Sequence, residues 1–379
     1  MTDSRAAAGG LLAESDVLIV GAGIVGLAHA TAALDRGLTV TVVDRDARAV
    51  GASVRNFGHC CVTAQSGELL DLAVVAREKW IGASARAGFF SVASGGLAVA
   101  RSAAELAVLE ELATTREPGQ VELITASETV ARLRPGADAA IVGGALLRDD
   151  LRVDPREAVG GLARWLAEQP GVRFEWQTSY LGGGDGVART SRGTIRAARI
   201  ILCVGHDLDY LFPEFAAERE VERCALQMMR VQAPDGLVLR PAVLTGTSML
   251  RYPAFAETRA AGALRAELEA ERPDLLEIGA NVMFTQRPDG TLIVGDSHRY
   301  APSMDPFLAQ PTSDALANEV GRILGEPELR VLERWQGVYA SSPRQSFLIE
   351  DPAPGVTAAI VTSGVGMTIS FGLAERTFA

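Results

Sequence analysis

The strongest hydrophobic pattern near the start of the chain is a short apolar run followed by a glycine-rich turn. Residues 16–20 (DVLIV) are mostly apolar and β-branched, which is typical of a strand buried on both faces. The turn at 21–26 (GAGIVG) leads into a helix-like run of small and apolar residues at 24–34. A second apolar run at 39–43 (TVTVV) is followed by an acid. This pattern predicts a complete βαβ unit.

Apolar periodicity along the remainder of the chain predicts further helices and strands. Helices are expected at residues 68–85, 103–114, 154–168, 257–271 and 313–324, and a glycine-rich turn into a helix at 364–375. Strands are expected at 95–101, 172–177, 199–204, 227–232, 281–286, 291–294 and 356–362, with a glycine-rich hairpin at 182–186. Because residues 221–335 differ from the rest in being strand-rich, we predict an α/β fold with an antiparallel sheet in a second domain.

Length and composition fit a two-domain globular protein. The chain has 379 residues, of which 48% are apolar and 22% charged. Its net charge of −11 argues against nucleic acid or an anionic membrane as a partner. The net charge does not exclude a small anionic substrate, because a single arginine can bind an anion locally in a protein that is acidic overall.

The four cysteines do not have metal-binding or disulfide spacing. They are Cys60, Cys61, Cys203 and Cys224, with no C-x-x-C pair among them. We therefore expect four reduced thiols, no metal site and a cytoplasmic location. The first 14 residues lack a basic segment followed by an apolar one, so no signal peptide is expected. The apolar stretch at 17–34 is broken by glycines, and a strand–turn–helix explains it better than a membrane span.

The glycine-rich turn has the spacing and context of a dinucleotide-binding motif. Gly21 permits the tight turn, Gly23 lets backbone N–H groups approach a pyrophosphate, and Gly26 allows the helix to pack closely on the strand. The helix N-terminus faces the phosphate charge, and Asp44 is placed to accept hydrogen bonds from a ribose. The residues expected to bind the cofactor here are Gly21, Gly23, Ile24, Val25, Gly26, Asp44 and Arg45.

NAD and FAD both use this motif, and the C-terminal segment favours FAD. A second glycine-rich strand–turn–helix lies at 363–368 (SGVGMT), where a helix N-terminus could stabilise negative charge on a reduced flavin. An NAD-dependent dehydrogenase remains the alternative. The expected cofactor-binding residues in this segment are Gly364, Val365, Gly366, Met367 and Thr368.

Taken together, the motifs resemble the D-amino-acid oxidase superfamily of flavoenzymes, which includes glycine oxidase and monomeric sarcosine oxidase. The resemblance covers residues 16–375 and rests on GAGIVG, GAS at 51–53, VDP at 153–155, ILCVGH at 201–206 and SGVGMT. It implies a discontinuous FAD-binding domain (15–85, 145–220 and 336–379) and a substrate domain (86–144 and 221–335). It also implies that Ser53, Arg55, Asn56, Gly58 and Gly205 contact the cofactor.

A narrower match resembles the phosphonate-associated FAD oxidoreductases. It rests on SVRNFG at 53–58 and QRPDGTLIVGDSHRY at 286–300, and it implies an aminoethylphosphonate or its N-methyl form as substrate. His59, Cys60 and Cys61 depart from that pattern, in which Met, Val and an aromatic residue are expected.

Three positions distinguish the chain from the oxidases that it resembles. Gly337 stands where sarcosine oxidases attach FAD through a Cys, so we predict non-covalent FAD. Ile293 and Val294 occupy the region of their oxygen-activating Lys. Tyr339 replaces the arginine with which glycine oxidases bind a carboxylate.

The candidate active-site residues lie mainly in the second domain. His298 could accept the proton of a substrate amine, and Tyr300 and Tyr339 could orient the substrate. The candidate substrate-binding residues are Arg251, Tyr252, Arg344 and His59, the arginines because their fork suits a phosphonate or carboxylate. Each of these side chains could instead be purely structural.

The predicted reaction is oxidation of a small anionic amine by hydride transfer to flavin. Imine hydrolysis and reoxidation by oxygen then complete the cycle. The alternatives are a dehydrogenase that passes electrons to a quinone or carrier protein, and a flavin-binding protein without catalysis.

Overall fold

The computed structural model describes residues 10–379, so most of the N-terminal stretch interpreted above (residues 1–9) lies outside the described residues. The predicted βαβ unit is present as β1 (Leu11–Val20), α1 (Ile24–Leu34) and β2 (Val40–Val43). Strand β1 begins earlier than expected because its first half pairs with a long later strand. Close contact between α1 and the turn before it depends on Gly26, where a Cβ atom would lie 1.8 Å from the Gly21 carbonyl oxygen.

An eight-stranded sheet is built around this unit, and its centre is parallel. The parallel core runs β20–β12–β1–β2–β9, and two antiparallel hairpins extend it. Because the strands are parallel, the carboxyl ends of β1, β2, β12 and β20 lie along one edge. The additional strands are β9 (Val172–Glu175), β10 (Tyr180–Gly184), β11 (Val187–Thr190), β12 (Gly193–Leu202), β19 (Phe347–Ala353) and β20 (Val356–Val361).

Helices cover the face of this sheet and bury its apolar residues. They are α1, α2 (Gly67–Ala87), α5 (Pro155–Ala167) and α13 (Gly366–Thr377). Helix α5 begins as its sequence predicts, because the Asp154 side chain accepts the Arg156 N–H and Pro155 occupies the first turn. Trp80 of α2 is fully buried and donates its indole N–H to the Met367 carbonyl at 2.7 Å. The packing of α2 therefore fixes the start of α13.

A nine-stranded, mainly antiparallel sheet forms the second layer. Its order is β17–β13–β16–β15–β14–β5–β7–β6, and β18 pairs with the other edge of β13. Its strands are β5 (Gly96–Ala100), β6 (Val121–Thr125), β7 (Gly143–Leu147), β13 (Glu222–Val231), β14 (Ala242–Leu244), β15 (Met283–Gln286), β16 (Leu292–Gly295), β17 (Arg299–Ala301) and β18 (Val331–Ser341).

Two apolar clusters, one on each side, bury the faces of the second sheet. The remaining helices are α3 (Ala103–Thr115), α4 (Ala126–Leu133), α6 (Leu208–Leu211), α7 (Pro213–Glu218), α8 (Gly246–Met249), α9 (Pro253–Ala256), α10 (Ala261–Glu271), α11 (Pro273–Glu277) and α12 (Gln310–Leu324). A small third sheet joins β3 (His59–Cys60), β8 (Leu151–Val153) and β4 (Ser91–Val92).

The predicted α/β class is confirmed, with several local corrections. The helix expected at 257–271 begins only at Ala261, because the chain turns between α9 and α10. Strands β18 and β19 were not predicted, and β18 crosses the expected domain boundary between residues 335 and 336. The domain division itself stays a prediction. Among residues 10–379, no helix is both long and apolar enough to span a bilayer.

Candidate functional site

A cavity of about 400 Å³ opens where the carboxyl edge of the parallel sheet meets the antiparallel sheet. Val20, Val43 and Val361 mark the strand ends on one side. Arg251 and His298 belong to the opposite wall. The cavity therefore joins the nucleotide-binding turn to the candidate substrate-binding residues.

The glycine-rich turn presents backbone donors at one end of the cavity. Gly21 has a φ of +102°, and a Cβ atom there would lie 2.6 Å from the Cys203 carbonyl oxygen, so only glycine fits. The N–H groups of Gly23 and Val25 have no acceptor among the described residues. They lie at the N-terminus of α1, where the helix dipole favours an anion, and so suit a pyrophosphate.

Asp44 lies beside this turn and shapes it. Its two carboxylate oxygens accept the N–H groups of Ala22 at 2.7 Å and Asp46 at 2.9 Å. Burial raises the pKa of Asp44, although both hydrogen bonds oppose the shift. Each oxygen keeps a free lone pair, which is what a ribose hydroxyl requires. Neighbouring Arg45 forms an ion pair with Asp207 at 2.7 Å.

The loop at residues 51–58 is held together by its own polar side chains. The Asn56 amide donates to the carbonyls of Ala52 and Ser53 at 3.0 Å and accepts the Gly58 N–H at 2.8 Å. The Ser53 hydroxyl accepts the Ile24 N–H at 2.9 Å. Asn56 and Ser53 both line the cavity. The hydrogen bonds of Asn56 fix the shape of the loop, and that of Ser53 holds the loop against α1.

Arg55 ties the same loop to β18. It donates to the carbonyls of Val50 and Gln336, and its own carbonyl accepts the Trp335 indole N–H at 3.2 Å. Arg55 also lines the cavity. Its position is therefore set by both layers of the protein.

Two of the expected cofactor-binding glycines do not line the cavity. Gly26 serves the contact between helix and turn described above. At Gly58 a Cβ atom would lie 2.0 Å from the Val153 carbonyl oxygen, so this glycine allows β3 to approach β8. For these two residues the cofactor-contact interpretation is replaced by a packing role.

The C-terminal turn forms another wall of the cavity. Residues Gly364–Thr368 line it, and a Cβ atom on Gly364 would lie 3.0 Å from the Tyr339 hydroxyl. Besides the Trp80 indole, the Cys60 thiol donates to the Met367 carbonyl at 3.3 Å, and the Thr368 hydroxyl accepts the Cys61 N–H at 3.1 Å. Gly205, which has a φ of +59°, lines the cavity in the turn after β12.

Arg251 defines the opposite end of the cavity. Its guanidinium donates to the hydroxyls of Tyr300 at 3.2 Å and Tyr339 at 2.7 Å. Among residues 10–379, no carboxylate lies within 4.0 Å of it. Burial alone would lower its pKa, but the negative poles of Tyr339, Tyr300 and Asp296 outweigh burial and raise it. The half-buried side chain is therefore a permanent cation that has no counter-ion in contact.

Asp296 and His298 follow β16 and lie beside Arg251. Asp296 is 4% exposed, and its Oδ1 atom has no hydrogen-bond partner among the described residues. Its backbone exchanges two hydrogen bonds with Asn281, at 2.8 and 2.9 Å, which fixes its position. Burial raises the pKa of Asp296 to about 7, against the opposing charge of Arg251.

His298 is held as a neutral imidazole with one defined tautomer. Its Nδ1 atom lies 3.0 Å from the Gly279 carbonyl oxygen, which can only accept, so the proton is on Nδ1. Burial, and then the charge of Arg251, lower the pKa of His298 well below its ordinary value. The Nε2 lone pair is therefore available as an acceptor.

His59 forms a second buried pair at the cavity wall. Its Nε2 atom lies 2.8 Å from the Asp150 carboxylate, whose other oxygen accepts the Thr63 N–H at 2.7 Å. Its Nδ1 atom is buried without a partner among the described residues, and the residue lines the cavity. An unpaired nitrogen in this position suits a polar edge of a bound ring.

His59, Cys61 and Asp150 bring three atoms of metal-ligand type within 4.8 Å of one another. Burial, and then the charge of Asp150, raise the pKa of the Cys61 thiol well above its ordinary value. A protonated thiol is a poor ligand. The expectation of no metal stays a prediction.

The structure does not bring together all the residues that the sequence indicated. Arg344 is excluded from the cavity, because it is 60% exposed and pairs with Glu220 at 2.6 Å. Tyr300 is 45% exposed and does not line the cavity, although its hydroxyl accepts a hydrogen bond from Arg251. Tyr252 lines the cavity, with its hydroxyl 3.3 Å from the Met283 sulfur.

Sequence reasoning missed Asp296, Asn281 and Asp150. Asp296 stands two residues before His298 in the same GDSH run, so an acid beside a candidate proton acceptor was a signal that could have been used. Nothing local identifies Asp150 or Asn281, because their partners lie far away in the chain.

The fold and the cavity define a dinucleotide-binding oxidoreductase. Residues 16–379 match the model of the DAO family, described as FAD dependent oxidoreductase, and the chain belongs to this family. Its cofactor is accordingly FAD. Three features of the cavity fit FAD. They are the unpaired N–H groups of Gly23 and Val25, the close approach of the backbone at Gly21, and the unpaired Nδ1 atom of His59.

Solved structures with the same fold cover almost the whole chain. Glycine oxidase from Geobacillus kaustophilus has a TM-score of 0.76 and 18% identity, over 95% of this chain and 92% of that one. L-proline dehydrogenase from P. horikoshii has a TM-score of 0.77 and 18% identity, over 97% and 93%. L-alpha-glycerophosphate oxidase from Mycoplasma pneumoniae, with FAD bound, has a TM-score of 0.74 and 19% identity, over 96% and 94%. No curated protein sequence matches the chain.

Proposed function

We propose that this FAD-dependent oxidoreductase oxidises the C–N bond of a small anionic amine, with an aminophosphonate such as 2-aminoethylphosphonate or its N-methyl form as the favoured substrate. The observation that carries the proposal is Arg251. A half-buried guanidinium that faces the cavity without a carboxylate in contact suits an anion supplied by a ligand.

The surroundings of Arg251 favour an anion with three oxygens. The hydroxyls of Tyr300 and Tyr339 accept from the guanidinium, so their own protons remain to be donated. Tyr339 lines the cavity, and Tyr300 lies on the other side of the guanidinium, so the arginine fork and the Tyr339 hydroxyl offer donors in more than one direction. A tetrahedral phosphonate can use all of them, whereas a planar carboxylate can use fewer.

The amine end of the substrate would lie toward His298. Oxidation requires the amine to be neutral, because its lone pair assists loss of hydride from the neighbouring carbon. The Nε2 lone pair of the neutral imidazole is available to accept a hydrogen bond from the amine, although the lowered pKa of His298 makes it a weak base. When bound, FAD supplies the hydride acceptor, and the oxidised amine then hydrolyses to a carbonyl compound.

FAD is proposed to be dissociable. Gly337 lines the cavity at the position where related oxidases carry a linking Cys, and it has no side chain with which to form a bond. Denaturation should therefore release all the flavin into solution, and colour retained on the protein would contradict this.

The electron acceptor has two candidates, oxygen and a quinone or carrier protein. The second is favoured by one observation: the sequence has a single lysine, Lys79, which pairs with Glu375 at 2.7 Å away from the cavity. Ile293 and Val294 are buried in the apolar core. A cationic lysine for oxygen activation is thus absent from the cavity. Turnover measured with oxygen and with a dye acceptor separates the two.

The proposal is tested by titrating the purified holoenzyme anaerobically and recording its visible spectrum. The ligands are 2-aminoethylphosphonate, its N-methyl form, glycine and sarcosine, with ethylphosphonate as an amine-free control. Bleaching of the flavin band by the phosphonate amines supports the proposal. Bleaching only by glycine or sarcosine contradicts the phosphonate, and bleaching by none contradicts the amine chemistry.

A further inference from the structure

Asp296 is a buried acid at the substrate end of the cavity, and the function proposed above does not use it. It lines the cavity with Arg251, Asn281 and His298, and the Oδ1 atom is buried without a hydrogen-bond partner. Buried polar atoms are normally paired, so an unpaired carboxylate oxygen in a ligand cavity requires an explanation.

The neighbouring residues do not satisfy this oxygen. His298 Nδ1 lies 3.7 Å from it, but the proton on that nitrogen points to the Gly279 carbonyl. Arg251 acts on Asp296 through its charge and lies more than 4.0 Å away. The Asn281 side chain lies beside the carboxyl group and lowers its pKa, but it does not form a hydrogen bond to Oδ1. Oδ1 is therefore open to a donor carried by a ligand.

We propose that Asp296 binds the substrate ammonium and accepts its proton, so that the substrate is a zwitterion held between Arg251 and Asp296. This inference rests on the proposed function and deepens it, because it names a second charge that the substrate must carry.

The arrangement accounts for both charges of the cavity. With substrate bound, Arg251 faces the anionic group and Asp296 faces the ammonium, so neither charge remains without a counter-ion. Proton transfer breaks one N–H bond and forms one O–H bond, and the electron pair of that N–H bond stays on nitrogen. The products are a neutral amine and a neutral carboxyl group, which a buried site tolerates better than the separated ions.

The acidity of the surrounding groups supports this division of roles. Burial raises the pKa of Asp296 to about 7, which is the range in which a carboxyl group can exchange a proton near neutral pH. Burial raises the pKa values of Tyr252 and Cys224, the latter to about 11, so these neighbours stay neutral. The pKa of His298 is shifted well below its ordinary value, and Arg251 stays charged.

The experiment compares wild-type holoenzyme with Asp296→Asn, which keeps the shape of the side chain. Flavin reduction by 2-aminoethylphosphonate is followed anaerobically, and binding of ethylphosphonate is followed by the perturbation of the flavin spectrum. Reduction should slow by about 100-fold or more. Ethylphosphonate has no ammonium, so its dissociation constant should change by less than about threefold. Asp314→Asn, on the exposed face of α12, is the matched control for loss of one charge.

The outcomes separate the two proposals. If Asp296→Asn reduces the flavin at a rate close to that of the wild type, the inference is wrong although the proposed function stands. If neither phosphonate perturbs the flavin of the wild-type enzyme, the proposed function and the inference both fail. In the supporting outcome, the wild-type reduction rate also falls as pH drops below about 7, and Asp296→Asn loses this pH dependence.

Discussion

The two ends of the cavity are built in different ways. At the nucleotide end, one continuous turn supplies the backbone N–H groups of Gly23 and Val25, and the carboxylate of Asp44, the residue after the next strand, accepts two backbone N–H groups. At the substrate end, Arg251, Asp296 and Tyr339 come from three distant parts of the chain, and the two charges have no counter-ion in contact. The residues allowed at the nucleotide end are restricted by close packing, and those at the substrate end by charges that lack a counter-ion.

This contrast indicates where stability is exchanged for function. Unpaired charges in a partly buried site destabilise the folded protein, whereas close backbone packing stabilises it. Substitutions at the two ends should therefore differ in kind. Those at the nucleotide end should weaken FAD binding or folding, and those at the substrate end should weaken catalysis without loss of the fold.

The largest effect is expected from Gly26→Ala. The added Cβ atom would lie 1.8 Å from the Gly21 carbonyl oxygen, so α1 must move away from the turn. We expect a cost above about 4 kcal/mol and no folded holoprotein. Gly262→Ala in α10 is the control, because a Cβ atom there meets nothing within 4 Å. Measurement of bound FAD after purification checks the prediction, and a normal flavin content would contradict it.

Next in size is Arg251→Met, which keeps the length of the side chain and removes the fork. The ratio of reduction rate to substrate dissociation constant should fall about 1,000-fold, equivalent to about 4 kcal/mol. FAD affinity should not change. Arg265→Met on the exposed face of α10 controls for loss of a positive charge. Loss of FAD in Arg251→Met would show that the two ends are not independent.

Asp296→Asn should change the stability of the protein less than Gly26→Ala does, and it should raise the stability where Gly26→Ala lowers it. The pKa of Asp296 is about 7 in the folded protein, whereas an unfolded Asp titrates near about 3.9. The folded state therefore binds more protons between these values, and the stability of the wild type falls as pH rises through this window.

Asn does not titrate, so the variant should gain stability relative to the wild type between pH 4 and pH 8, by about 4 kcal/mol. Chemical unfolding of the FAD-free protein at both pH values measures this gain. An equal difference in stability at the two pH values would show that Asp296 does not titrate in this range.

The smallest effect is expected from Asp44→Asn. The amide retains one acceptor oxygen but loses the second, so either the Ala22 N–H or the Asp46 N–H loses its partner, and one site for the ribose hydroxyl is lost with it. FAD affinity should fall about tenfold, equivalent to about 1.4 kcal/mol. Fluorescence titration of the FAD-free protein measures it, and a loss of more than about 100-fold would mean that Asp44 also holds the turn in place.

The sequence was sufficient for the features that depend on neighbouring residues. The turn of Gly21 and Gly23, the acid at Asp44 and the start of α5 at Asp154 follow from local backbone chemistry. Strand β18 was missed because its alternating pattern is weak, since only Gly337 and Ala340 of its eleven residues are buried.

The substrate end could be predicted only in part. Arg251 and Arg344 looked alike in the sequence, and what separates them is Glu220, which pairs with Arg344 from 124 residues away. The pairing of His59 with Asp150 spans 91 residues and had no local signal. Side chains that meet through long-range strand pairing are set by tertiary packing, and short-range periodicity does not report it.

The fixed position of Met367 has a consequence for how the protein is made. Strand β1, near the start of the chain, pairs with β12, which in turn pairs with β20, and the start of α13 is held by Trp80 of α2. Nascent chains are made at about 5–20 residues per second, so residue 20 leaves the ribosome many seconds before residue 367. The first βαβ unit is therefore exposed during synthesis without the strand that completes its sheet. Newly made chains should depend on chaperones until α13 packs against α2. Binding of FAD would then be the last step of assembly.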